Sequence, residues 1–192
     1  MSTITHPEMV KGLAKDGHTI IDELTKESAH LLHMAVGIAG EAGELCQAIY
    51  SCNEFEDIDK ENIVEELGDL EFYLEGLRQG MQLARNQTIS MFSDHEFKTS
   101  NLTTSVHNAV LLNIECSILL DYVKKSAFYV KPIKHESVII SLMNINNYMA
   151  VLRECFDITR NDTIEHNINK LGERYQGHNY SNEQAIKRAD KA

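Results

Sequence analysis

The chain has 192 residues, 43% of them hydrophobic, enough for one well-buried domain or two small fused ones. Its 29 acidic against 18 basic side chains give a formal charge of −11, which repels nucleic acid and anionic membranes, so neither is expected as a partner. No apolar run approaches the roughly 18 residues of a membrane span, the N-terminus lacks a signal-peptide layout, and the four cysteines form no Cys-x-x-Cys pair, so the expected compartment is the reducing cytoplasm.

Two prolines and few alternating β-branched runs predict an all-α fold. After an N-terminal helix around Met9 to Leu24, the segment from about Thr25 to Ser51 carries Leu31, Leu32, Ala35, Ile38, Ala42, Leu45 and Ile49 at helical spacing, with Thr25 as its N-cap. A second amphipathic helix, about Asp59 to Leu83, aligns Ile63, Leu67, Leu70, Leu74 and Leu77, with Asp59 as cap. The chain then repeats itself. His33 to Val36 recurs as His107 to Val110, and Glu41 faces Glu115 at an offset of 74. One extra residue makes the offset 75, at which Glu61, Leu67, Tyr73, Leu77 and Arg78 match Glu136, Leu142, Tyr148, Leu152 and Arg153, and Arg85 to Ile89 match Arg160 to Ile164. The expected architecture is a four-helix bundle of two repeated hairpins with extra N- and C-terminal helices: repeats over 1–95 and 100–192, packed as one unit.

Glu41 and Glu44 lie three apart on one helix and Glu66 and Asp69 three apart on the next, so antiparallel packing gathers four carboxylates. Like charges at close range resist ionisation unless a cation joins them, and a hard ion such as Mg²⁺, with Mn²⁺ as a substitute, suits an all-oxygen set. Gly37, Gly40, Gly43 and Gly68 interrupt these helices at about 1 kcal/mol each relative to alanine, which points to close backbone or ligand approach. The nine histidines are scattered and define no zinc site.

The second repeat keeps Glu115 but has Ile118, Ser141 and Asn144 in place of Glu44, Glu66 and Asp69. It gains Lys124, Lys125 and Lys131 where the first has Tyr50, Ser51 and Glu56, and Asn167, Lys170 and Arg174 follow on one helix face. One repeat thus offers anions for a metal and the other cations for phosphate. Taken singly, the lysines also fit a solvated loop, and Lys170 with Arg174 fits a helix C-terminus.

Gly40-Glu41-Ala42-Gly43-Glu44-Leu45 with Glu65-Glu66-Leu67-Gly68-Asp69 resembles the signature of the MazG-like all-α nucleotide pyrophosphohydrolases, relatives of the dimeric dUTPases and phosphoribosyl-ATP pyrophosphohydrolases. Ala29-His30-Leu31-Leu32-His33 is similar to the lead-in of short phage-carried members. The family loop resembles Val123 to Lys125 with Tyr129 to Pro132, and its tail resembles Asn167 to Tyr175, Tyr180-Ser181 and Arg188. In the family one hairpin unit carries the whole set and dimerises; here the set is divided over two repeats, which implies a covalent pseudo-dimer with one composite site. The resemblance implies hydrolysis of a (deoxy)nucleoside triphosphate to the monophosphate and pyrophosphate, in the host cytoplasm if phage-encoded.

In that reading Glu41, Glu44, Glu66 and Asp69 hold Mg²⁺, which activates a water for attack on the α-phosphorus. Glu65 or Glu41 is the general base. Lys124, Lys125, Lys131, Lys170 and Arg174 bind phosphates, and His33, Tyr73, Asn167 and Tyr175 are pocket residues. A catalytically weak helical scaffold and phosphoribosyl-ATP hydrolysis are the alternatives. The sequence leaves two assemblies open: a fused pair complete on its own, or a further homodimer through the N-terminal helix.

Overall fold

A computed structural model describes residues 4–52, 57–87, 101–129 and 131–191. Glu56, Val130, Thr88-Ile89 and the inter-repeat boundary at 95–100 lie outside the described residues. The described residues fold into eight α-helices with no strand among them: α1 His6–Leu13, α2 Gly17–Glu23, α3 Lys26–Tyr50, α4 Lys60–Gly80, α5 Leu102–Tyr129, α6 His135–Cys155, α7 Arg160–Arg174 and α8 Asn182–Lys187.

The helix starts follow local chemistry. Thr25 caps α3 in a reciprocal pair with Ser28, and Asp59 accepts from the Asn62 backbone amide at 3.1 Å to start α4. The end of α4 falls at Gly80, earlier than the apolar stripe predicts, because Gln82 takes the left-handed conformation at φ 56°. The Leu83 amide then donates back to the Arg78 carbonyl at 3.0 Å. The second repeat ends α6 in the same way: Asp157 has φ 52°, and the Ile158 amide donates to the Arg153 carbonyl at 2.9 Å. Both pairs sit at the offset of 75, so the duplication extends to backbone conformation.

α3 packs on α4 and on α5, α5 on α6, and α7 lies along α4. Gly37 and Gly76 face Tyr73 and Met34, which makes α3 and α4 antiparallel with Glu41 level with Asp69. Gly43 of α3 faces Asn113 of α5, and the Lys15 ammonium, ahead of α2, reaches the Phe128 carbonyl near the end of α5 at 2.7 Å. Ile38, Leu45, Leu67, Leu70 and Leu77 of the first hairpin share one core with Leu112, Leu119, Leu142, Ile145 and Leu152 of the second. Burial of such chains, at about 1.5–3 kcal/mol each, is the main force joining the hairpins.

α5 is long and apolar enough to cross a membrane by length and composition, which a reading by uninterrupted apolar runs does not register. Its face bearing Ala109, Leu112, Cys116, Leu119 and Val123 is in the core, whereas Val110, Ile114 and Ile118 are exposed. All four cysteines are free, and burial pushes the Cys116 thiol up to about 12.

Candidate metal centre

Antiparallel packing of α3 and α4 brings Glu41, Glu66 and Asp69 together, with an oxygen of each within 4.8 Å of the others. Glu44 lies at the rim, exposed and outside that trio, yet its charge acts on both Glu41 and Glu66. Glu66 is buried. Desolvation first, then the charges of Glu44 and Glu41, raise its carboxyl from 4.5 to about 8. Glu41 is raised as well, by desolvation and by Asp69 and Glu44, while a hydrogen bond from Glu66 and the nearby Lys170 pull the other way. The first hairpin therefore carries more negative charge than its site can hold ionised. All of its donors are carboxylate oxygens, the chemistry of a hard divalent cation.

α7 completes the site from the second repeat. Gly68 makes this possible, since a Cβ there would lie 2.7 Å from the Thr163 carbonyl and 3.1 Å from the Asn167 Cβ. Thr159 and Asp162 form the capping box that starts the helix. The Asn167 amide donates to Asp69 at 2.7 Å, and the buried Lys170 ammonium reaches Asp69 at 2.5 Å and Glu65 at 3.2 Å. Lys170, expected on phosphate, is thus a fixed counter-ion to the acid cluster. Each oxygen of Asp69 has a donor before any metal is considered, whereas Glu41 and Glu66 face each other.

Tyr73 borders the cluster. Burial and the charges of Glu41 and Asp69 raise its phenol, and Tyr175 and Arg174 also act on it. Gly37 seats the ring, since a Cβ there would be 2.4 Å from it. His33 stands edge-on to Tyr73 with centroids 6.0 Å apart, and Tyr175 pairs with Tyr180 at 5.6 Å. Arg174 is clamped by Asp190 through two bonds of 2.6 and 2.5 Å, which hold the Asp190 carboxyl at about 2. Asp190 carries no sequence signal, because it comes from a short C-terminal turn whose return to α7 is set by tertiary packing.

The other predicted cations stand apart from this group. Lys124, Lys125 and Lys131 are exposed at and beyond the C-terminal end of α5, and Lys125 pairs with Asp121 on its own helix at 2.5 Å. With Gly43 level with Asn113, Lys124 is roughly 15 Å along the bundle axis from the carboxylates. Of the glycines, Gly40 has open space where a side chain would go, and Gly43 makes ordinary contact with Asn113.

The second repeat shows the equivalent positions with Glu115 as their acid. Ser141 donates to one oxygen of Glu115 at 2.7 Å, and Asn144 to the other at 3.3 Å. Those two residues stand where Glu66 and Asp69 stand in the first repeat, so Glu115 has neutral donors where Glu41 has acids. No family model, curated protein or solved structure matches this chain.

Proposed function

We propose that the chain is a divalent-cation-dependent nucleoside triphosphate pyrophosphohydrolase of the MazG-like kind, built as a covalent pseudo-dimer with one active centre. The observation that carries this reading is the contrast between equivalent positions. Glu41 meets Glu66 and Asp69, with Glu66 raised to about 8, whereas Glu115 meets the donors Ser141 and Asn144. A fold serving only as scaffold gains nothing from keeping four acids on one hairpin after neutralising the other, since unmatched buried charge costs several kcal/mol.

Glu41, Glu66 and Asp69 would hold Mg²⁺ or Mn²⁺, with Glu44 at the rim beside the incoming triphosphate. Such an ion, when bound, offsets phosphate charge and makes a neighbouring water more acidic. The chain's own groups then have separable roles. Lys170 and Asn167 fix Asp69, and Lys170 also orients Glu65, which with Glu41 is a candidate to take a proton. Tyr73, with His33 edge-on to it and Tyr175 near enough to act on its phenol, would supply the wall for a nucleoside beside the cluster. Arg174, held by Asp190, acts on Tyr73 and is the phosphate partner this reading favours over the α5 lysines.

The test is pyrophosphate release from a panel of canonical and modified ribo- and deoxynucleoside triphosphates, with phosphoribosyl-ATP included, in Mg²⁺ and in Mn²⁺. Metal-dependent release from at least one triphosphate is expected. No release from any compound, together with a melting temperature indifferent to divalent ions, would return the chain to the scaffold class.

A further inference from the structure

The outer face of α5 is apolar where the solvent side of a bundle helix is ordinarily polar. α5 packs on α3 and α6, and its core side, bearing Ala109, Leu112, Cys116 and Leu119, is buried. With about 100° of turn per residue, Ile114 points away from that side. Thr103, His107, Val110, Ile118, Asp121 and Lys125 all lie within about 40° of the Ile114 direction, and Val110, Ile114 and Ile118 are 41, 50 and 38% exposed. The matching face of α3 carries Val36, Gly40 and Glu44. The second repeat therefore has two isoleucines where the first has a glycine and a carboxylate.

The spacing along this face is the same in both directions. Counting outward from Ile114, Val110, His107 and Thr103 stand four, seven and eleven residues one way, and Ile118, Asp121 and Lys125 stand four, seven and eleven residues the other. Two copies of α5 laid antiparallel across a two-fold axis at Ile114 therefore bring Ile114 onto Ile114, Val110 onto Ile118, His107 onto Asp121 and Thr103 onto Lys125. Each off-axis contact occurs twice. The centre is apolar and the flanks are complementary. The His107 ring has an N–H to donate in either protonation state. The half-exposed Asp121 carboxylate pairs with Lys125 on its own helix at 2.5 Å and, with two oxygens, can accept a further bond. Parallel packing would instead set Asp121 against Asp121, so charge also selects the direction.

We propose that this stripe is the interface of a homodimer in which two copies of α5 pair antiparallel about Ile114. The occupant is a second copy of the chain because the face is its own complement, apolar against apolar at the centre and donor against acid at both flanks. Valine and isoleucine hold few rotamers, so pairing them costs little side-chain freedom. From Thr103 to Lys125 the stripe covers about 33 Å of helix. A contact confined to one helix of that length lies at the small end of protein interfaces, which sets the dimer at roughly micromolar affinity. This surface belongs to the second repeat, differs from the N-terminal helix that the sequence offers for a further dimer, and does not rest on the hydrolase reading.

The experiment is sedimentation velocity of the full chain from about 1 to 500 µM. A reversible shift from the mass of one chain to twice that mass is expected. Ile114→Glu puts two carboxylates face to face on the axis and should weaken the dimer at least about tenfold. Circular dichroism and a thermal melt check that this substitution at an exposed position leaves the fold intact. Asp121→Lys should weaken the dimer at least about threefold, and His107→Asp added to it should recover that loss, because each pair is rebuilt with its charges exchanged. The recovery reports on the pairing even if Ile114→Glu misfolds. A chain that stays monomeric throughout the range, a dimer that a folded Ile114→Glu variant leaves unchanged, or a double variant no tighter than Asp121→Lys alone would overturn the proposal.

Discussion

Replacing Glu66 by glutamine removes one ionisable carboxyl from the cluster while keeping its shape and its ability to donate to Glu41. In the folded protein Glu66 titrates at about 8 against an ordinary 4.5. As pH rises the unfolded chain gives up this proton first, so the contribution of Glu66 to stability is whole below about pH 4.5, declines through about pH 8 and is flat above. At pH 7 that shift corresponds to roughly 3 kcal/mol against the metal-free fold, and water reaching the cluster past the exposed Glu44 trims it to about 1–3 kcal/mol. Glu66→Gln should therefore melt higher than the parent protein in EDTA at pH 8, by about 2–10 °C for a chain of this size. The two should converge towards pH 5. Addition of Mg²⁺ or Mn²⁺ should raise the parent's melting temperature, more at pH 8 than at pH 6, and leave the variant unmoved. Thermal melts across pH with and without metal read both effects. A variant less stable than its parent at pH 8 without metal, or one that keeps the metal-induced rise, would refute the reasoning.

Lys170→Met leaves Asp69 and Glu65 without their buried counter-ion and should cost about 3–5 kcal/mol in chemical denaturation, a loss that saturating Mg²⁺ partly restores. Gly68→Ala pushes a methyl against the Thr163 carbonyl; overpacking of about 1–3 kcal/mol outweighs a helix-propensity gain of about 1 kcal/mol. Hydrogen exchange should then show α7 opening more readily while α3 is unchanged. Asp190→Asn releases Arg174. Because Asp190 titrates at about 2, below its ordinary 3.8, the stability it contributes is present above about pH 4 and lost as pH falls through 2, so parent and variant should differ at pH 7 and converge near pH 2. Ser141→Glu with Asn144→Asp puts two acids beside Glu115 and should lower the metal-free melting temperature while leaving pyrophosphate release little changed, because Ile118 still stands where Glu44 does.

Much of this architecture is local and therefore legible in the residues alone. Helical periodicity gives α3 and α4, the oxygens of Thr25 and Asp59 mark where they begin, and identities at fixed offset carry the same hairpin to α5 and α6, because capping and amphipathicity depend on neighbours within a few residues. The i, i+3 spacing of Glu41 with Glu44 and of Glu66 with Asp69 likewise makes two acidic faces without reference to the rest of the chain.

What those faces meet is decided by packing. Antiparallel register puts Glu41, Glu66 and Asp69 within reach and leaves Glu44 at the rim. The close approach allowed by Gly68 brings Lys170 onto Asp69 rather than out towards a phosphate. The α5 lysines and α7 share a repeat in sequence, yet α7 is what brings its polar side chains onto the carboxylate cluster. Glu71 meets Arg153 and Arg160, both far away along the chain, because α6 and α7 fold back beside α4. Caps and stripes are set by short-range geometry, whereas the charge that a buried acid can carry depends on groups brought to it from other helices, and only the tertiary structure determines those.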